Sequence, residues 1–388
     1  MRNTWWLSFV LLLVVISTVG AADSTRFGDS FAGLPPDVRA LFVAGQEEFE
    51  AAEAADEGLG PVFNDVSCVA CHSNPAVGGD SNITETRFGR ITKGKFDPMT
   101  EFGGSLLQVR GVDPRRGCSP ERIPREATIV AKRKTTPLFG LGLVDNVPDG
   151  ELLAIAAHQR ARTPEVAGEP SIVTDVTSGR TRVGRFGWKA QIATLVTFSA
   201  DAYLNEMGIT SPTFPKDNLP NGSADRLEKC DGLKTDPEDA GDGVVAFTDF
   251  MTFLAPPPRG PITPEVTAGR IVFERIGCAT CHVPSLVTGP NRIRALDRVR
   301  FEPYSDFLLH DMGRLGDGIE QGRAGPRQMR TAPLWGLRVR ERFLHDGRAS
   351  TVDAAILAHD GQGREAKSDF VRLDNGSKQA LKAFLNSL

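Results

Sequence analysis

Histidine and cysteine are scarce in this 388-residue chain, six of each, so a short pattern that needs both is rarely met by chance. The chain lacks a basic excess. Lysine and arginine number 45 against 49 aspartate and glutamate, a formal charge of -4, and that balance argues against nucleic acid as a partner. Long apolar runs are also missing except at the start, where Leu7 to Val19 follows Arg2 and is followed by small residues up to Ala22. This run is short for a bilayer span and reads as a secretory signal peptide over residues 1–22, with an uncleaved anchor as the alternative. Export places the mature chain in the periplasm or otherwise outside the cytoplasm, with no stable membrane insertion once the signal is removed. No cysteine follows the cleavage region, so lipid attachment there is not indicated.

The scarce residues are concentrated. Cys68-Val-Ala-Cys71-His72 and Cys278-Ala-Thr-Cys281-His282 are two copies of Cys-x-x-Cys-His, the pentapeptide through which two thiols take up the vinyl groups of a c-type haem and the histidine becomes an axial iron ligand. At this composition one copy is expected in roughly one such chain per thousand, and two far more rarely. A four-cysteine zinc site could use Cys68, Cys71, Cys278 and Cys281, but both following histidines would then have no role. A thioredoxin-like dithiol needs a βαβ setting that follows neither motif. The reading is two covalently bound c-type haems. Cys118 and Cys230 remain, and a disulfide is the economical pairing in an exported chain, with two unpaired buried thiols as the alternative.

Glycine and proline, at 40 and 26 residues, indicate a loop-rich chain in which cofactors fill part of the core. Within it the two haem motifs belong to a duplication. Ala44-Gly45-x-x-x-Phe49-Glu50 and Ala268-Gly269-x-x-x-Phe273-Glu274 precede them, with glycine and phenylalanine on one helix face, the glycine admitting a close neighbour. Phe49 stands further from its motif than Phe273 does, which implies a loop insertion in the first half. Each half closes on a helical stripe, Phe247, Phe250, Met251 and Leu254 in one and Leu381, Phe384, Leu385 and Leu388 in the other. Thr263 and Pro264 read as N-cap and first residue of the second opening helix.

Further pairs are Lys134–Leu141 with Arg330–Leu337, and Arg185-Phe-Gly-Trp-Lys189 with Arg342-Phe-Leu-His-Asp346. Residues Ile172 to Val183 read as a β-hairpin found only in the first half. His158 reads as structural, and His310 as a residue near the second haem or a satisfied core histidine. Aligned on Phe186 and Phe343, the halves put Ala202 opposite His359. From that comparison alone, His359 is either an axial ligand or an ordinary surface or core histidine.

These segments, with Gly60–Gly79, Asn205-Glu-Met-Gly-Ile-Thr210, Leu308-Leu-His-Asp-Met-Gly313 and Phe343-Leu-His-Asp-Gly-Arg348, resemble the bacterial di-haem cytochrome c peroxidase superfamily, and within it the di-haem oxidoreductase branch, sometimes labelled thiol oxidoreductases. The resemblance runs from about Leu34 to Leu388. It implies a mainly α fold of two cytochrome c-like haem domains, residues 30–255 and 262–388, joined by a proline-rich linker at 256–261. It implies a peroxidatic N-terminal haem and an electron-transfer C-terminal haem, with peroxide or another small oxidisable substrate and an exported electron donor such as a small cytochrome as partners. A methionine ligates the C-terminal haem of the peroxidases 14 residues after the histidine of the FHxG segment. Here His359 stands 14 after His345, so the resemblance makes that haem bis-histidine and lower in potential. By the same resemblance Glu206 is the distal acid–base residue and Trp188 the inter-haem relay. Trp188 is shifted by one place, and Val196 stands where the family's distal glutamine would be. Met207 as a sixth ligand, or a plain helix-end carboxylate at Glu206, are the competing readings. Calcium between the domains is a family expectation with no oxygen-ligand loop assigned to it.

Overall fold

The first half is framed by two helices whose contact the sequence pattern anticipates. The computed structural model describes residues 25–388; the segment 1–22 expected to be a signal peptide lies outside the described residues. The opening helix, Pro36–Glu50, buries Val38, Phe42, Gly45 and Phe49 along one stripe. It packs against the closing helix of this half, Asp242–Phe253, whose buried side includes Phe247, Phe250 and Met251. The two approach so closely at Gly45 that a Cβ there would lie 2.3 Å from the Ala246 carbonyl oxygen. The space is filled around it, with Phe42 and Phe49 against Phe250 at ring separations of 5.4 and 4.7 Å.

The second half repeats this. Thr263 accepts the backbone N–H of Val266, and Pro264 begins the helix Pro264–Arg275, as the capping signals indicate. This helix packs on the final helix, Asn375–Leu385. A Cβ on Gly269 would stand 1.9 Å from the Ala380 carbonyl oxygen, and Phe273 meets Phe384 at 5.2 Å.

The later correspondence is equally close. Phe186 bridges Ile192 and Phe343 bridges Ala349, two loops of the same length. Thr194 then caps the helix Leu195–Ala202 and Thr351 caps Val352–Ala358, each by accepting a backbone N–H of its first turn.

The first half carries more β-structure than a mainly helical expectation allows. The hairpin Ser171–Thr174 with Thr181–Gly184 is where the sequence puts it, Ile172 facing Val183. Unforeseen is an antiparallel sheet centred on Thr84–Thr92, which pairs with Ile129–Lys134 and also with Lys95–Asp97 and Leu106–Leu107. Its strand pattern is masked because the buried positions include Thr86, while Arg87 holds Glu85 on the same strand at 3.1 Å. His158 lies on the exposed side of Asp149–Arg162 and not in the core.

Packing does not stop at the linker. Leu286, Leu296, Phe301, Phe307, Leu308 and Trp335 of the second half join the larger apolar core of the first. A buried ion group also crosses the halves, with Asp317 accepting from Arg133 at 2.8 Å and from Lys189 at 2.9 Å. Cys118 and Cys230 form a disulfide across 112 residues, Cα atoms 5.5 Å apart. No helix among the described residues is long and apolar enough to cross a membrane.

The helix contacts make a stability prediction. Gly269→Ala drives a methyl into a backbone carbonyl and should cost about 1–3 kcal/mol or more. Gly150→Ala, with nothing within 4 Å of the added carbon, should change stability by less than about 1 kcal/mol. Chemical unfolding of the two variants side by side checks the difference.

Candidate functional site

In the second half, Cys278–Thr280 forms a single tight turn, and the His282 N–H closes it on the Cys278 carbonyl at 3.0 Å. The His282 Nδ1 lies 3.0 Å from the Tyr304 carbonyl oxygen. A carbonyl only accepts, so Nδ1 carries the proton and Nε2 keeps its lone pair. His359 is fixed in the same way. It ends the helix Val352–Ala358, and its Nδ1 donates to the Ala355 carbonyl at 2.8 Å. Both imidazoles line one cavity of about 460 Å³ with Cys278 and Cys281. Burial, and then the neighbouring His359, push His282 down to about 4; burial also lowers His359. Two neutral imidazoles with protonated Nδ1 are what metal ligation needs.

Two of the arginines that line the same cavity, Arg330 and Arg340, donate to backbone carbonyls and to no carboxylate. Arg330 donates to the carbonyls of Gly187 at 2.7 Å and Thr331 at 3.1 Å and lies over the Phe307 ring at 5.5 Å. Arg340 donates to Pro333 and Trp335 carbonyls, both at 3.1 Å, and its Nε is buried with no hydrogen-bond partner among the described residues. Burial, and then the Arg340 charge, lower Arg330 to about 10. Two buried guanidiniums that repel one another, one with a vacant donor, call for an anion between them. A haem meets each requirement: an apolar body, two thiol-reactive vinyl groups, an iron for paired imidazoles, and two propionates. The residues therefore fit the group. The sequence reading missed both arginines, although Arg330 opens the repeated segment that ends at Leu337.

Trp188 lines the cavity from the first-half side. Its Nε1 donates to the Lys134 carbonyl at 2.9 Å, and its ring meets His345 edge-on at 6.2 Å. The Arg330 N–H donates to the Trp188 carbonyl at 2.9 Å, so the tryptophan is held at the junction of the halves. His310 is buried and satisfied by Asp306 at 2.9 Å and Gln362 at 3.2 Å, with the Cys281 sulfur at 3.5 Å.

The first half builds a related but unequal arrangement. The His72 N–H closes on Cys68 at 3.1 Å, and the His72 Nδ1 donates to the Gly79 carbonyl at 3.2 Å. Phe49 stands 6.0 Å from the His72 ring, as Phe273 stands 6.4 Å from His282. Burial lowers His72 to about 4. Where the second-half helix breaks at His359, the first-half helix runs on beyond Ala202 as a wider π-turn, Tyr203–Met207. Such turns recur at functional sites. Gly208 ends it in the left-handed conformation, φ +73°, and packs against Gly60, where a Cβ would lie 2.6 Å from the Gly208 oxygen.

That contact brings the segment before the first motif onto Glu206. Asn64 donates through Nδ2 to Glu206 Oε2 at 2.6 Å and through its backbone N–H to the Glu206 carbonyl at 2.7 Å. Glu206 is pushed up to about 7, first by burial and then by the Glu85 charge, with Asn64 and Arg87 opposing. Its charge in turn raises the Cys71 thiol, after burial, and its partner Asn64 stands just before the first attachment motif in the chain. Met207 is buried in the larger apolar core. Sequence reasoning missed Asn64, Arg87 and Asp201 around this carboxyl, although Asn64 lies inside the segment Gly60–Gly79. For calcium, the cluster of acidic ligand atoms found among the described residues is Asp217, Asp236 and Glu238, within 4.8 Å of one another.

The family described as "Di-haem oxidoreductase, putative peroxidase" matches residues 118–388, a span that contains the second motif and Glu206 but not the first motif. No curated protein matches the chain. Among solved structures, the diheme peroxidase BthA from Burkholderia thailandensis E264 is similar at 14% identity, covering 92% of this chain and 86% of that one with a TM-score of 0.42. A MauG-like protein associated with microbial copper homeostasis is similar at 15% identity, covering 95% and 94%, TM-score 0.40. Hydrazine synthase from Kuenenia stuttgartiensis is similar at 14% identity, covering 98% and 100%, TM-score 0.38. With a match over most of its length, two haem-attachment motifs and a cavity that fits a haem, the chain belongs to the di-haem oxidoreductase family.

Proposed function

We propose that this protein is an exported di-haem c-type oxidoreductase of peroxidase type, with peroxide chemistry beside His72 and electron transfer through a bis-histidine site at His282 and His359. The observation that carries the reading is the inequality of the two halves. At equivalent points after the phenylalanine of each loop, one chain segment stops at an imidazole that shares a cavity with His282, and the other continues to a half-buried carboxyl held by Asn64, which stands just before the first motif. Bound through the two motifs, haem would supply a redox centre in each half.

The chain's own part is to hold protons, exclude water and connect the halves. Glu206, held near neutrality by burial, takes a proton from one peroxide oxygen and returns it to the other. Asn64 fixes Oε2, which leaves Oε1 to carry that proton. Arg330 and Arg340 would neutralise the propionates of a haem held there, and Trp188 lies between the first-half strand and His345 as the relay position. The thiol-oxidoreductase label finds no free dithiol here, since both Cys-x-x-Cys pairs are assigned to haem.

Two predictions test this. The ionised form of Glu206 accepts the proton, so the rate of reaction with peroxide should rise with pH through about 7, not near 4.5 as for an unperturbed glutamate. Glu206→Gln should remove that rise and slow the reaction by about 10²–10⁴-fold while both haems stay attached. Stopped-flow absorbance on the purified holoprotein reads both, and an unchanged rate would take Glu206 out of the mechanism. Separately, His359→Ala should abolish the low-spin bis-histidine paramagnetic resonance signal and raise the potential of that haem. If both irons of the native protein are six-coordinate in every redox state and peroxide is not consumed, the protein is instead a di-haem electron carrier.

A further inference from the structure

Tyrosine is the rarest aromatic in the chain, with two residues, and one of them has a setting that the peroxide reaction does not use. Tyr203 opens the π-turn that ends near Glu206 and is 6% exposed. Its hydroxyl donates to Glu53 Oε1 at 2.9 Å. Its ring meets Phe247 edge-on at 4.9 Å, Phe247 meets Phe49 at 6.4 Å, and Phe49 meets the His72 ring at 6.0 Å. Glu53 is tied to the same place, because its N–H donates to the Val66 carbonyl at 2.8 Å and the Val69 N–H donates to Phe49 at 3.2 Å.

We propose that Tyr203 and Glu53 form a proton-coupled redox pair, through which the oxidised first-half site draws single electrons from a neutral phenol or hydroquinone at the protein surface. The inference rests on the peroxidase reading, which supplies the oxidant. In the step, Tyr203 loses one electron towards His72, its O–H bond breaks, and the proton moves to Glu53, leaving a neutral phenoxyl beside a carboxylic acid. The phenol or hydroquinone then gives a hydrogen atom to the phenoxyl, its own O–H bond breaking as the Tyr203 O–H re-forms, and Glu53 releases its proton to solvent, so two such cycles supply the two electrons and two protons that reduce one peroxide to two waters.

Three features favour this over a plain structural hydrogen bond. Burial first, and then the Glu53 charge, hold the Tyr203 phenol well above its ordinary range, so the proton leaves only when the electron does. Glu53 is half-buried and stands among the exposed small residues Ala51, Ala52 and Ala54, which gives a small molecule access to the pair. The charges of Glu48, Glu57 and Asp239 all act on Glu53, so the rim repels anions and the reductant is neutral. Exchange of a hydrogen atom between a phenoxyl and a phenol is close to thermoneutral, which fits the chosen class.

The test uses the full holoprotein mixed with peroxide and frozen within milliseconds for paramagnetic resonance. A tyrosyl signal is expected in the native protein and in Tyr304→Phe, and its loss is expected in Tyr203→Phe with both haem absorption bands retained. Glu53→Gln should slow its appearance by about a hundredfold, as loss of a positioned proton acceptor does. Hydroquinone should quench the signal faster than ascorbate does. A signal that survives Tyr203→Phe, or its absence in native protein that consumes peroxide, overturns the pair and leaves the peroxidase reading standing. If peroxide is not consumed, that reading fails, and a flash-generated ruthenium(III) oxidant takes its place. Oxidation of Tyr203 slowed by Glu53→Gln then supports the pair, and its absence overturns it.

Discussion

The contact of one helix glycine with the backbone of a second helix, made once in each half, is the constraint on which the rest depends. At Gly45 and Gly269 an added methyl carbon would fall 2.3 and 1.9 Å from a carbonyl oxygen, so the helix axes approach as far as backbone allows. That approach fixes the phenylalanine one turn on. Phe49 and Phe273 are pressed between the closing helix and the ring of the motif histidine, and the histidine N–H then closes the Cys-x-x-Cys turn. A larger residue at either glycine would move the aromatic wall against which each imidazole stands. Close packing transmits such shifts rather than absorbing them.

What the sequence made legible follows from this. Features with a period or a fixed spacing could be read, because they arise from local geometry. The helix stripes, the Thr263–Pro264 cap and the Phe186 and Phe343 loops are of that kind, and so was the pairing of His359 with Ala202. The sheet around Thr84–Thr92 was not legible, since its buried positions are Thr86, Phe88 and Gly89, only one of them a large apolar side chain, and the positions between carry Glu85 and Arg87, which satisfy one another. Arg330 and Arg340 escaped for a different reason. A buried arginine looks like a surface one until the missing carboxylate is noticed, and only coordinates show which partners are absent. Asn64 and Glu206 are separated by 142 positions, and no short-range pattern brings them together.

Duplication explains likeness, and the difference between the halves lies in how one helix ends. After Thr351 the helix stops at Ala358, and the next residue turns its Nδ1 back to Ala355, so Nε2 remains the free nitrogen in the cavity. After Thr194 the equivalent helix does not stop but widens into a π-turn. Continuing the chain by one wider turn carries the polar group from position 16 of the segment to position 20. It also puts a carboxyl where the other half has an imidazole.

The same turn accounts for the two functions argued for the first half. Tyr203 and Glu206 are three residues apart on it, yet one hydroxyl meets Glu53 and the other side chain meets Asn64. Both partners come from the stretch between Phe49 and Cys68, which is longer than its counterpart by the insertion seen in the sequence. The second half lacks that stretch, and its tyrosine, Tyr304, instead offers its backbone carbonyl to His282. An insertion of loop residues between the opening helix and the haem motif is therefore enough to supply both partners. In the proposed reactions one steadies the carboxyl of Glu206 and the other takes the phenolic proton of Tyr203. Each acts on its own side of a single helical turn.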